Sequence, residues 1–243
     1  MPEVAVVFGG HSPIAIEISK QLSVSRKVIH FSRNLDEELQ RSFEDNKHVE
    51  TFVLPILSDG SIDIDHMEQQ IRFLLPTNLV FAARFRGHED DFVSKYKFEV
   101  LLPIRLLRSC SSISGSSTLR SAVLFCSPAG QRIVSDQDVS YHAHKAAIEQ
   151  VIRFYAVNGN GIRVNGVSPG GYVLKDRNRD FYISNPKLTE KIKAFIPTGD
   201  FVTTSDIAHL VEFLLSEKSR QINGQILSID GGYSAKEATY NLI

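Results

Sequence analysis

Tyr141-His-Ala-His-Lys145 places a phenol and an ammonium four residues apart. On a helix, positions i and i+4 share a face, so the Lys145 charge can sit beside the Tyr141 hydroxyl. A neighbouring cation favours phenolate, which suits a general acid/base for interconverting a carbinol and a carbonyl. Taken alone, the pair also describes any exposed helix face. Ser127-Pro-Ala-Gly130 adds a third group, because Ser127 ends an apolar run fourteen positions before Tyr141. Its hydroxyl could polarise a carbonyl oxygen while Tyr141 protonates it, or serve only as a turn serine before a proline.

These groups need a frame that brings positions 127 and 141 together. Short apolar runs at 4–8, 28–32, 49–54, 78–83, 122–127, 163–168 and 225–230 supply one. Most are continuously apolar rather than alternating, as in strands covered on both faces. Amphipathic stretches lie between them, with Ile14, Ile18 and Leu22 on one face and Ile148, Ile152 and Tyr155 on another. This βαβ rhythm predicts an α/β fold. It reads as a single Rossmann-like doubly wound domain over 1–243, with about seven parallel strands and helices on both faces of the sheet. Residues 175–197, charged and weakly periodic, read as a substrate lid outside the sheet. Ligands bind such folds at the carboxyl ends of the strands, at the topological switch point. Residues 9–13, 32–34, 83–87, 127–130 and 169–172 all fall there.

With these residues in view, the chain resembles the short-chain dehydrogenase/reductase family over nearly its whole length. The family's serine, with a glycine three positions on, matches Ser127-Pro-Ala-Gly130, and its Tyr-x-x-x-Lys matches Tyr141 to Lys145. Its strand ending in Pro-Gly matches Ile162-Arg-Val-Asn-Gly-Val-Ser-Pro-Gly170. Its C-terminal signature matches Asp206-Ile-Ala208 and Ile222-Asn-Gly-Gln-Ile-Leu-Ser-Ile-Asp-Gly-Gly-Tyr233. The resemblance implies hydride transfer between NAD(P)(H) and a carbonyl or secondary alcohol. Tyr141 would be the acid/base, Ser127 would orient the reacting oxygen, and Lys145 would act on Tyr141 and on the nicotinamide ribose. Pro169, Gly170 and Tyr172 would complete the nicotinamide side. A dinucleotide-binding sensor or scaffold without turnover, and an epimerase or dehydratase using the same residues, are the competing functions.

Four stretches depart from the family pattern. The phosphate loop reads Gly9-Gly-His-Ser-Pro-Ile-Ala15, with Pro13 and Ala15 at two of its glycine positions. Gly9 is expected to make the tight turn, Ala15 to allow close packing, and Ser12-Pro13 to cap and open a helix. The Ser12 hydroxyl and the helix N-terminus then make up for a lost backbone donor, with His11 and Ile14 alongside. After the fourth strand stands Phe81-Ala-Ala-Arg84, which keeps Ala83 but introduces Arg84 and then Arg86. Leu101 aligns with the family's asparagine, and Pro103 could bend the helix in its place. No threonine follows Pro169-Gly170.

An acid at the end of the second strand would bind the ribose of NAD, and a base would accept the 2′-phosphate of NADP. Here Ser32 and Arg33 stand there, with His11 as a further donor, so NADP(H) is favoured over NAD(H). Arg84, Arg86 and the basic lid point to a small, anionic substrate, with Tyr172, Phe181 and Tyr182 lining its pocket. His142 and His144 read as helix-surface residues rather than metal ligands, since no acid or Cys shares their spacing, and no metal is expected.

The 243 residues are 42% hydrophobic and 23% charged with a formal net charge of -1, which leaves no electrostatic footprint for nucleic acid or a membrane. No apolar run approaches a membrane span, no signal peptide is read at Met-Pro-Glu-Val, and two cysteines are too few for a disulfide framework. A cytoplasmic protein is the expectation. The family pairs through its catalytic-motif helices, so a homodimer or homotetramer is expected, and the C-terminal tail could reach a neighbouring subunit.

Overall fold

The computed structural model describes residues 3–85, 92–111, 118–135 and 137–236. Arg86 and the tail beyond 236 lie outside the described residues. The strands are β1 (Val4–Phe8), β2 (Lys27–Ser32), β3 (Val49–Val53), β4 (Asn78–Phe81), β5 (Ser121–Phe125), β6 (Arg163–Pro169), β7 (Val173–Leu174), β8 (Val202–Thr203) and β9 (Ile226–Ile229). The helices are α1 (Pro13–Ser23), α2 (Glu37–Arg41), α3 (Ile64–Leu74), α4 (Phe92–Tyr96), α5 (Leu102–Ser111), α6 (Val139–Asn158), α7 (Asp176–Ser184), α8 (Pro186–Phe195) and α9 (Thr204–Leu215).

Seven strands form one parallel sheet in the order β3-β2-β1-β4-β5-β6-β9. Each overlaps one of the seven apolar runs, which are continuous because both faces are covered. Alternate side chains go to opposite faces. Val6 and Phe8 join a core under α3, α5 and α6, whereas Ala5 and Val7 join a second core under α1 and α9. The chain winds from β1 toward β3 on one side and from β4 toward β9 on the other, so the switch point lies between β1 and β4. An aromatic ladder floors that point. Phe8 stacks on Phe31 at 5.3 Å and on Phe81 at 4.9 Å, its in-register neighbours on β2 and β4.

The charged stretch expected outside the sheet forms α7 and α8. It leaves and returns at β7 and β8, which pair side by side through Val173↔Val202 and Leu174↔Thr203. The C-terminal signature serves the sheet. Asn223 accepts from the Val164 amide at 2.8 Å and donates to the Ala156 carbonyl, and Asn165 donates to the Ile222 carbonyl. These bonds fix the approach to β9. Cys110 and Cys126 are buried free thiols, pushed up to about 11 and about 12 by burial.

His30 on β2 is fully buried and joins two elements. Its Nε2 lies 2.9 Å from the Gly10 carbonyl and its Nδ1 lies 2.8 Å from the Ser19 hydroxyl. A carbonyl only accepts, so Nε2 carries the proton and Nδ1 accepts from Ser19. Burial holds the neutral form, with the pKa lowered to about 4. A lowered histidine pKa means stability that is present above about 6.5 and is lost as pH falls toward about 4, worth about 3 kcal/mol in total. Urea unfolding at pH 7 and pH 4.5 should show this loss, and His30→Gln should flatten the slope between the two.

Candidate active site

The site sits above the switch point, and its first part is the loop from β1 to α1. Gly9 and Gly10 both donate their amides to the Phe31 carbonyl, at 3.3 and 3.0 Å. The left-handed turn falls on Gly10, with φ +52°, and not on Gly9 as the sequence suggested. Gly9 is needed for close packing instead, since a Cβ there would meet the Ala15 Cβ at 1.9 Å. Pro13 opens α1 as expected, but the Ser12 side chain makes no cap hydrogen bond. Its hydroxyl is therefore not committed to the helix, and Ser12 lines both cavities of the site.

The first cavity, about 490 Å³, runs over the loop and is lined by Gly9, His11, Ser12, Ser32, Arg33 and Ala83, among others. Arg33 lies 5.6 Å from the Phe85 ring centroid. His11 is already engaged, with Nε2 2.8 Å from Asp36, the N-cap of α2. The Leu39 amide, then His11, holds the Asp36 carboxyl below its ordinary range.

The second cavity, about 880 Å³, holds Ser127, Tyr141 and Lys145 together with Pro169, Gly170 and Tyr172. Ile14 lines it as well, and the two cavities share Ser12, Ala82, Ala83, Arg84 and Arg177. Pro13 and the aromatic pair Phe181 and Tyr182 are not brought to either cavity. Phe181 is exposed, and Tyr182 packs on Phe201 at 4.5 Å. Tyr172 meets Tyr233 edge-on at 5.6 Å, and burial, then Tyr233, raises its phenol pKa.

Helix α6 sets the spacing of the reactive groups. Asp138 caps it, accepting from the Tyr141 amide at 2.7 Å and pairing with Lys95 at 2.7 Å. Lys95, then Ser140, keeps the Asp138 carboxyl far below its usual range. The turn Pro128–Gly130 after β5 rests directly on this helix. A Cβ on Gly130 would lie 2.8 Å from Glu149 Oε1 and 3.1 Å from the Lys145 carbonyl. The glycine three places after Ser127 is therefore a contact with the Lys145 turn. Ser127 Oγ accepts from the Ala129 amide at 3.2 Å, which leaves its proton to be donated.

Lys145 is buried; its Nζ donates to the Phe125 carbonyl at 3.0 Å and lies 3.2 Å from Glu99 Oε2. Glu99 was missed in the sequence, where its signal is a lone carboxylate in the apolar run Phe98-Glu-Val-Leu-Leu102. Arg84 was foreseen, but not its place. Its guanidinium lies 4.3 Å over the Tyr141 ring and donates to Gln137 at 2.6 Å. Of the two histidines expected at the helix surface, His142 is half-buried and only His144 lies away from it. His142 Nδ1–H donates to the Asp138 carbonyl at 2.8 Å, and its Nε2 accepts from the Val134 amide at 2.9 Å. His144 is buried against Phe92 and Tyr96, and burial pushes its pKa down. No cluster of three or more potential metal ligands occurs among the described residues.

A family model described as enoyl-(acyl carrier protein) reductase matches residues 88–234, and the chain belongs to the short-chain dehydrogenase/reductase family. It is similar to D-threitol dehydrogenase of Mycolicibacterium smegmatis, 37% identical over 43% of this chain and 40% of that one. It is also similar to the chloroplastic NADPH-dependent aldehyde reductase-like protein of Arabidopsis thaliana, 36% identical over 39% and 34%. The aligned stretches span from 34% to 50% of the curated relatives' length. Among solved structures, ElxO with NADP bound superposes with a TM-score of 0.81 at 20% identity, covering 97% of this chain and 100% of that one. A 4-hydroxyisoleucine dehydrogenase complexed with NADH gives 0.79 at 24%, with the same coverage. At these identities the likeness is one of fold.

The contact at Gly130 generates a direct test. Gly130→Ala should destabilise the chain by about 1–3 kcal/mol in urea unfolding, because backbone of α6 faces the new methyl group.

Proposed function

We propose that the chain is an NADP(H)-dependent oxidoreductase that interconverts a carbonyl and a secondary alcohol. The observation that carries this reading is that Ser127, Tyr141 and Lys145 line one cavity, which shares Ser12, Ala82, Ala83, Arg84 and Arg177 with the cleft over the phosphate loop. The dinucleotide fits the residues present. Gly9 and Gly10 line the first cavity, the Ser12 hydroxyl is uncommitted to the helix, and no carboxylate lines either cavity among the described residues. Ser32 and Arg33 take the place where an acid would select NAD.

When bound, the cofactor supplies or accepts the hydride. The chain's own residues handle the oxygen and its proton. Ser127 donates to the reacting oxygen, and Tyr141 gives or takes the proton there. Lys145 and Arg84 place positive charge near the phenol, Lys145 Nζ lying 5.6 Å from the ring centroid. The substrate is a small anion, read from Arg84, Arg132, Lys175 and Arg177 around the cavity. Helices α7 and α8 act as its lid, with Arg177 bordering both cavities. Exposed Phe92, Val93, Val139, Phe154 and Val157 on α4 and α6 support a homodimer or homotetramer. Buried free thiols fit a cytoplasmic setting. One observation favours a dinucleotide binder without turnover: a bulky Arg84 stands directly over the Tyr141 ring.

Tyr141→Phe separates the two. It should lower kcat by about 10²- to 10⁴-fold in a carbonyl panel and leave NADPH affinity intact. Turnover on no carbonyl despite tight NADPH binding favours the binder. On the nucleotide side, Arg33→Ala should weaken NADPH by about tenfold and leave NADH nearly unchanged, as loss of a charge-assisted phosphate contact requires. Tighter NADH than NADPH binding by the unmutated chain would overturn the preference.

A further inference from the structure

Between α4 and α5 the backbone widens into one π-helical turn, Lys97–Leu101, and the Leu102 amide reaches back five residues to the Lys97 carbonyl. The cause is Pro103, which has no amide to give to the Glu99 carbonyl four residues earlier and whose ring clashes with it. The bulge thus falls on Glu99. That residue is buried, with its side chain 4% exposed. Oε1 accepts from the Phe85 amide at 3.0 Å. Oε2 lies 3.2 Å from Lys145 Nζ, an ion-pair contact, and makes no hydrogen bond among the described residues. Among the described residues, Glu99 is the sole carboxylate within ion-pair distance of Lys145.

Three further features bear on what this carboxylate does. Glu99 lines neither large cavity, so it reaches Lys145 from behind, while Lys145 itself borders the cavity with Tyr141. The space between Glu99, Pro103, Phe125 and Lys145 is about 10 Å³, which admits one water at most, so solvent cannot replace the counter-charge. His144 on α6 is a further titratable group near Glu99, and it also feels Lys95 on α4, Lys145 and Asp138.

We propose that Glu99 is a positioning residue for Lys145: the hydrogen bond to the Phe125 carbonyl and the charge of the Glu99 carboxylate hold the ammonium from behind and aim it at the cavity. A buried ion pair is weak evidence for stability as such. This one is placed instead where it sets the direction of a cation that touches the reacting site. The inference rests on reading Lys145 as part of the catalytic set. It moves the role expected at Leu101 to Glu99, two residues earlier in the same bulge.

The test is a double-mutant cycle of Glu99→Gln and Lys145→Met, read by kcat, KM and equilibrium NADPH binding. Glu99→Gln keeps the shape and the acceptor for the Phe85 amide but removes the charge. Expected is a loss in kcat of about tenfold, within the range that coupled neighbours show, with the carbonyl KM within about twofold. NADPH binding should weaken several-fold, by roughly the same coupling. In the Lys145→Met background, Glu99→Gln should change neither. Equal losses in both backgrounds, or unchanged kcat and NADPH affinity in the single variant, overturn the proposal. The binding arm decides even if no carbonyl is turned over, an outcome that sinks the oxidoreductase reading alone. If Glu99→Gln does not fold, Glu99→Asp runs the same cycle. It should weaken NADPH binding only with Lys145 in place, and equal weakening in both backgrounds overturns the proposal.

Discussion

An ammonium shut away from water must find its compensation in the chain, and the burial of Lys145 organises much of the site. Its partners come from distant places: the Phe125 carbonyl at the end of β5, and Glu99 in the turn before α5. Both can reach it only because α6 lies close to the sheet and to the Pro128–Gly130 turn. Gly130 permits that approach, since any side chain there meets the Lys145 backbone. Pro103 contributes from the other side by forcing the bulge that carries Glu99. Ser127 and Tyr141 then come to one cavity as consequences, one at the end of β5 and the other a turn before Lys145.

The seven strands were legible because a parallel sheet leaves a continuous apolar run for each, and the observed ends differ from those runs by at most two residues. Ser127, Tyr141 and Lys145 were legible because their spacing is a property of one strand end and one helix. Long-range meetings were less so. Glu99 and Lys145 are joined by the packing of two helices, and nothing in their sequence separation encodes it, although a lone acid among apolar residues was a signal. Phe181 and Tyr182 show the reverse error: aromatic type suggested a pocket lining, but the face of α7 that carries Phe181 points to solvent. The reading of His144 went wrong because a polar residue was taken for a surface one. His144 is covered by Phe92 and Tyr96 from α4, a helix whose start was not visible as a periodic pattern.

The altered phosphate loop can be understood from its neighbours. Pro13 removes an amide that the first turn of α1 leaves without an intrahelical partner in any case. The loop's shape is held from β2, through the Phe31 carbonyl on two amides and His30 on the Gly10 carbonyl. Loop and strand are therefore one unit, and the residue types at the end of β2 do two jobs. Ser32, buried beside Gly10, keeps this contact close, while Arg33 beyond it faces the cleft.

Charge completes the picture. The described lining of both cavities carries cations and no carboxylate, while the nearby acids are each engaged by a basic side chain. Asp36 is taken by His11, Asp138 by Lys95, and Glu99 by Lys145. Pairing each acid away leaves Arg33, Arg84 and Arg177 to set the field inside the cleft. In a partly desolvated cavity that field is screened far less than at the surface. That field favours anionic ligands in both cavities, and Arg84, bordering both and lying over Tyr141, is the charge common to the two.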